Sequence, residues 1–269
     1  MKIILDKNKV KNITKNEKNL GFVPTMGAIH AGHISLIKKS NKECDKTIVS
    51  IFVNKPQFNK RSDFLKYPKK IKDDISVIKR ENVDILFIPK TKEIYPDKKN
   101  KIIKISKFKN KLCGKFRPGH FNAVVDVVER FTNIINPHKI YLGNKDMQQL
   151  KLIESFFAKK YPKIKIIGCE TIRDKKGLAL SSRNFLLSKK QKLIGSKIYR
   201  ILTKNKNKIM NKKIKIIDIK KNILKMGATK IEYLECLNIN MMTKPYFKKK
   251  KYKIFISYYL GKTRLIDNI

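Results

Sequence analysis

His30 and His33 stand three residues apart in the stretch Val23-Pro24-Thr25-Met26-Gly27-Ala28-Ile29-His30-Ala31-Gly32-His33. An apolar, strand-like segment leads into them, and the amphipathic run Ile34-Ser35-Leu36-Ile37 follows. That order puts both imidazoles on the first turn of a helix, just past a strand end. Free backbone N–H groups and the helix dipole gather phosphates at such a place. An isolated pair at this spacing fits three uses: a zinc pair, two polar residues on a helix turn, or donors to phosphate oxygens. No Asp or Glu lies near them in sequence, which counts against zinc. Imidazoles at a helix start beside Gly27 and Gly32 are better placed to donate to phosphate oxygens, which favours the phosphate.

Three more polar clusters recur at comparable places. Gly143-Asn144-Lys145-Asp146 follows the apolar run Ile140-Tyr141-Leu142 and opens another helical pattern, with Lys145 as its cation. Asp146 there fits either an acid at a helix start, worth about 0.3–1 kcal/mol, or a contact to ribose or metal. Gln148 and Gln149 lie one helical turn further on. Asn54-Lys55-Pro56-Gln57-Phe58 follows the β-branched run 47–53. Ser181-Ser182-Arg183-Asn184 sits among small residues that allow close backbone approach, although a helix cap with a surface arginine reads the same way. Polar groups at several strand ends are expected where an open α/β sheet binds its ligand.

The elements that must carry these groups alternate along the first two-thirds of the chain. Strands are expected over residues 20–24, 47–53, 83–88, 139–142 and 164–167. Helices are expected up to about 44 and over 62–81, 121–135 and 146–160. Pro89 and Asn136-Pro137 act as stops. Strands separated by helices of this length imply βαβ units and a parallel, doubly wound, Rossmann-like sheet. After about Thr171 the pattern changes. A polar connection, 173–184, leads into a Lys-rich helical stretch and two β-like runs, 230–237 and 252–260. The fold class is therefore α/β, with a Rossmann-like domain over residues 1–171 and a smaller C-terminal α+β domain over 172–269.

Composition narrows the classes further. The chain has 269 residues, 41% hydrophobic, and a formal net charge of +44. So large a charge invites a nucleic-acid partner. The lysines, however, are spread from Lys2 to Lys262 among Ile and Asn, and there are only eight arginines. A drift toward the residues of A/T-rich codons explains that pattern better than a localised basic face with interleaved aromatics. No nucleic-acid partner is expected, and the densest run, 248–251, reads as a solvated loop. No apolar run approaches the roughly 20 residues of a bilayer span. The four cysteines are scattered without a C-x-x-C pair, which points to a cytoplasmic protein without disulfides or a thiolate metal site.

Taken as a set, these segments resemble the pantoate–β-alanine ligase family. Carrying the resemblance are Pro24-Thr25-Met26-Gly27 with His30-x-Gly32-His33, Ser50-Ile51-Phe52-Val53-Asn54 with Gln57-Phe58, and Arg117-Pro118-Gly119-His120-Phe121. Gly143-x-Lys145-Asp146-x-Gln148-Gln149-Leu150, Leu180-Ser181-Ser182-Arg183-Asn184 and Leu260-Gly261 with Arg264-Leu265-Ile266-Asp267-Asn268 complete it. The motifs occur in order over nearly the whole chain. The H-x-G-H element alone would suggest only the wider nucleotidylyltransferase superfamily.

The resemblance implies condensation of pantoate with β-alanine through a pantoyl-adenylate, with ATP converted to AMP and pyrophosphate. It implies ATP contacts from Met26, Gly27, Ala28, Ile29, His30, Ala31, Gly32 and His33, and from Gly143, Asn144, Lys145 and Asp146. Ile172, Leu180, Ser181, Ser182 and Arg183 belong to the same implied set. His30, His33 and Lys145 would balance phosphate charge, with His33 as proton donor. Gln57 and Gln149 would hold pantoate, and Gln57 would also border the β-alanine path. Mg²⁺ on the triphosphate and a homodimer are implied as well. Three departures stand out. Pro56 is displaced by one position from the usual Asn-Pro-x-Gln-Phe, Cys113 stands at a common Glu, and Ala123 replaces a frequent Gly.

Overall fold

A computed structural model describes residues 1–97, 103–239, 242–243 and 251–269. Only Lys251 of the basic run 248–251 falls among them.

The first unit runs β1 (Lys2–Ile4), α1 (Lys7–Thr14), β2 (Leu20–Thr25), α2 (Ala31–Glu43), β3 (Lys46–Ile51), α3 (Arg61–Lys66), α4 (Ile71–Lys79) and β4 (Ile85–Phe87). Two single-turn helices, α5 (Thr91–Ile94) and α6 (Cys113–Phe116), precede α7 (His120–Ile135), β5 (Lys139–Gly143), α8 (Met147–Lys160) and β6 (Lys165–Cys169). The six strands form one sheet in the order β1-β4-β3-β2-β5-β6, parallel at every pairing. From β2 the chain winds outward through β3, and later returns to place β5 on the other side of β2. The crevice between the carboxyl ends of β2 and β5 is thus the point where the winding reverses and ligands gather.

Period-two alternation explains why both faces of the sheet are covered. Phe22, Ile48, Phe87 and Ile140 point to the face packed by α1, α7 and α8. Their neighbours Val23, Val49, Leu86 and Tyr141 point to the opposite face, under α2 and α4. Strands buried on both faces must be apolar at nearly every position, as these are. Gly119, at φ +78°, turns the chain into α7, and Asn136, left-handed at φ 50°, closes it before Pro137.

One expectation is corrected here. Residues 62–81 form two helices, not one. Tyr67 is extended (φ −62°, ψ 128°) because Pro68 follows it, and a proline forces its predecessor out of helical geometry. The break lets the Tyr67 ring turn inward, where it is buried.

The second unit comprises α9 (Lys189–Met210), α10 (Ile216–Lys225), β7 (Lys230–Asn238), β8 (Tyr252–Leu260) and β9 (Thr263–Asn268). The three strands form an antiparallel sheet in chain order. β9, seen in the sequence only as a motif, completes it. One face of this sheet, with Leu234, Ile254 and Ile256, packs under α9 and α10. The other, with Tyr233, Leu237 and Phe255, joins the core of the first unit.

Candidate active site

At the end of β2 the chain must turn sharply into α2. Gly27 (φ +77°) and Ala28 (φ +50°) supply two successive left-handed residues, which aim consecutive amides the same way. The amides do not face the cleft. Ala28 and Ile29 donate to the Asp74 carboxylate on α4 at 2.9 and 2.7 Å. A Cβ on Gly27 would stand 2.8 Å from the same carboxylate, so glycine is required there for space as well as conformation. Thr25 ties the strand end down, donating to the Ser50 carbonyl and accepting the Gly27 N–H.

His30 is the N-cap of α2. Its Nδ1 accepts the Gly32 N–H at 3.1 Å, so the neutral ring carries its proton on Nε2. His33 stacks on it with ring centroids 4.1 Å apart. Burial, with Lys145 adding to it, pushes His30 down to about 4. Burial, then His30 and Lys145, holds His33 well below the usual imidazole range. Both rings are neutral at neutral pH. The buried Nδ1 of His33 has no hydrogen-bond partner among the described residues.

Across the crevice, a single 3₁₀ turn, Asn144–Asp146, links β5 to α8 and projects Lys145 into the cleft. Its Nζ lies 3.2 Å from Asp146 Oδ2. The two glutamines that follow separate cleanly. Gln148 is buried in structural bonds, donating to the Phe108 and Lys111 carbonyls and accepting the Cys113 N–H. Gln149 is left to face the cleft.

Gln57 ends a 3₁₀ turn, Lys55–Gln57, that accommodates Pro56 in its first residues. The turn therefore forms with the displaced proline in place. Gln57 Nε2 reaches Met26 Sδ at 2.9 Å, and its Oε1 accepts from Asn54. Asn54 is itself fixed by the Tyr95 hydroxyl and the Ala123 carbonyl. Arg117 and His120, carried by the Arg-Pro-Gly-His segment, both donate to the Gln57 carbonyl, at 2.9 and 2.8 Å. Burial, then Arg183 and Arg264, lowers Arg117 to about 10, which leaves it charged. Cys113 is buried, with its sulfur 3.0 Å from the Tyr233 hydroxyl and 3.5 Å from Arg264.

The connection after β6 closes the cleft. Leu180 N–H bonds the Ile172 carbonyl, and both residues line the wall. Ser182 Oγ donates to the Ala28 carbonyl at 3.1 Å, which joins this segment to the β2 turn. Arg183 pairs with Asp63 at 2.9 Å. The cleft holds a volume of about 250 Å³ and opens to solvent.

Met26, His30, Gly32 and His33 line this cleft, as do Gln57, Gly143, Lys145, Asp146 and Gln149. Ile172, Leu180, Ser181, Ser182 and Arg183 do the same from the far wall. Gly27, Ala28 and Ile29 lie buried beneath it, and Ala31 faces outward. Asn144 is turned toward Gly168, whose missing Cβ makes room for it. Sequence reasoning gave no part to Asp74 or Tyr67, and quoted Arg117 and His120 only as a motif. The apolar wall holds Phe52, Val124, Val127 and Phe131.

The chain matches the family described as pantoate-beta-alanine ligase over residues 2–269. The chain belongs to that family. It is 39% identical over 267 residues to the pantothenate synthetase of Caldicellulosiruptor saccharolyticus, covering 98% of this chain and 95% of the relative. The corresponding enzyme of Francisella tularensis subsp. novicida is 40% identical over 266 residues, covering 96% and 92%. A crystal structure of the Francisella tularensis ligase, complexed with beta-gamma ATP and beta-alanine, superposes with TM-score 0.87 at 39% identity. It covers 100% of this chain and 97% of that one. Pantothenate synthetase from Thermus thermophilus gives TM-score 0.91 at 26% identity, covering 100% and 99%. Family membership makes the chain a ligase of the pantoate–β-alanine type.

Proposed function

We propose that this cleft condenses pantoate with β-alanine by the two-step route through pantoyl-adenylate. In the first step a pantoate carboxylate oxygen attacks the α-phosphorus of ATP. The bond from that phosphorus to the bridging oxygen breaks, and pyrophosphate leaves. In the second, the amine of β-alanine attacks the acyl carbon, loses a proton, and AMP leaves with its oxygen. The observation that carries this reading is the convergence of Lys145, His30 and His33 with Gln57 and Gln149 across one crevice.

The geometry supports a role for each residue. Lys145 supplies fixed positive charge to the departing phosphates. His30, with Nδ1 committed to the Gly32 amide, offers Nε2–H as a donor. His33, kept neutral by burial, acts by donating a hydrogen bond rather than by releasing a proton from an imidazolium. Preorganised donors of this kind are worth about 3–4 kcal/mol each when charge develops in a dry site. Gln57 and Gln149 hold the pantoate hydroxyls and carboxylate without becoming rival acceptors of the adenylyl group, and Gln57 borders the β-alanine path. Met26, Gly32, Gly143, Asp146, Ile172, Leu180 and the 181–183 turn bound the ATP. Gly27, Ala28, Ile29, Ala31 and Asn144 serve it indirectly, as the frame of the two turns.

Mg²⁺ fits this donor set in one way. Among the described residues no three His, Cys, Asp or Glu side chains gather as a cage. Mg²⁺ commonly takes one or two carboxylates together with substrate phosphates. Asp146 would be its protein contact, and the ion would add charge neutralisation on the triphosphate. We also assign residues 172–269 to a lid over a 1–171 base, and a homodimer in the cytoplasm as the working state. Among the described residues no helix is long and apolar enough to cross a membrane.

The test is product formation from ATP, pantoate, β-alanine and Mg²⁺. Sustained AMP release should require both acids, and pantoyl-adenylate should accumulate when β-alanine is omitted. Absence of both pantothenate and the adenylate would overturn the assignment.

A further inference from the structure

Lys145 sits on a 3₁₀ turn only three residues long, and so short a turn has few internal hydrogen bonds with which to hold its shape. Its support comes from the other sheet. Asn268, at the end of β9, is 2% exposed. Its side-chain amide donates to the Asn144 carbonyl and to the Lys145 carbonyl, each at 2.8 Å. One NH₂ group has two hydrogens, so both are spent on consecutive carbonyls of this turn. The carboxamide cannot rotate away. Its oxygen accepts the Lys253 amine at 2.8 Å, and its own backbone N–H is held by Asp267 Oδ1 at 2.8 Å. Asp267 in turn grips Arg173 through two bonds, of 2.6 and 2.9 Å. Every polar atom of the Asn268 side chain therefore has a fixed partner.

We infer that Asn268 is a positioning residue for adenylation, setting the direction in which Lys145 projects into the cleft. It touches no substrate itself. Two carbonyls drawn to one NH₂ group must point the same way, and this fixes the peptide plane between Asn144 and Lys145. Rotation of that plane would swing the Lys145 stem away from the crevice. A displacement of about 1 Å at a catalytic cation can cost about 100-fold in rate. The inference rests on the role given above to Lys145.

A double-mutant cycle tests it. Asn268→Ala should lower kcat of pantoate-dependent adenylation about 10- to 100-fold, with the pantoate KM little changed. In a Lys145→Ala background the same substitution should cost almost nothing, because there is no longer a cation to aim. Asn268→Asp, equal in shape but without the donors, should behave as Asn268→Ala does. If Asn268→Ala does not fold, Asn268→Ser carries the same cycle. A residue that only stabilises the fold would give the same factor in both backgrounds, and that result overturns the proposal. Unchanged kcat in the single variant overturns it equally. Wild-type activity in Lys145→Ala alone would instead refute the role of Lys145, a separate failure.

Discussion

The Asp74 carboxylate accepts the backbone N–H of Ile29 at 2.7 Å, beneath the turn that carries His30. An acid from α4 thus fills an amide nest that would otherwise attract a phosphate, and holds it from inside the protein. In the proposed reading the phosphates meet the side chains above.

Asp74→Ala should strand two buried amides, Ala28 and Ile29. Each unsatisfied buried donor costs about 1–3 kcal/mol, so a total loss of about 2–6 kcal/mol is expected from urea unfolding. Turnover should fall as well, since the same turn aims His30. Full stability in this variant would contradict the account of Gly27 and Ala28.

Stability should also depend on pH through the histidines. In the unfolded chain an imidazole takes up its proton near pH 6.5, whereas folded His30 does so only near 4, and His33 and His120 are shifted the same way by burial. Between those values the unfolded chain binds more protons, so stability is full above about pH 6.5 and declines as pH falls toward about 4. Urea midpoints across that range measure it. His30→Asn keeps a good helix cap while removing the imidazole, and its decline should be shallower. A midpoint constant from pH 7 to about 4.5 would rule the effect out.

Gln57→Ala should raise the pantoate KM about 10- to 100-fold, the size expected for lost hydrogen bonds to a charged ligand. Gln57→Glu, nearly identical in volume, should bind pantoate worse still, because it sets one carboxylate against another. Steady-state kinetics at saturating ATP separate the two variants. A shift confined to the ATP KM would move Gln57 out of the pantoate subsite.

Removal of Mg²⁺ by a chelator should abolish adenylation and leave the melting temperature of the free protein unchanged. The metal is expected to arrive on the triphosphate and not to be part of the fold. A lowered melting temperature in EDTA would point instead to a resident ion.

Much of the fold and site could be read along the chain because it is written locally. Short apolar runs mark β2, β3 and β5, and the polar clusters around His30, Gln57 and Lys145 follow soon after their ends. The rest is written in long-range pairs. Asp74 lies 45 residues from Ile29, and on its own helix it reads only as one of two acids in the first turn. Arg117 and His120 act on a carbonyl some 60 residues away. β9 is mostly polar, with Thr263, Arg264, Asp267 and Asn268, and its meaning depends on β8 pairing beside it. The break inside residues 62–81 is also local, since Pro68 forces Tyr67 out of helical geometry.

The small sheet contributes Tyr233, Leu237 and Phe255 to the same apolar core as Phe22 and Phe131. The consequence concerns cooperativity. A segment whose side chains complete its neighbour's interior cannot melt by itself without opening that interior to water. Heating should therefore produce one calorimetric transition for the whole chain, and damage to β8 should be felt as lost order at the strands around the crevice.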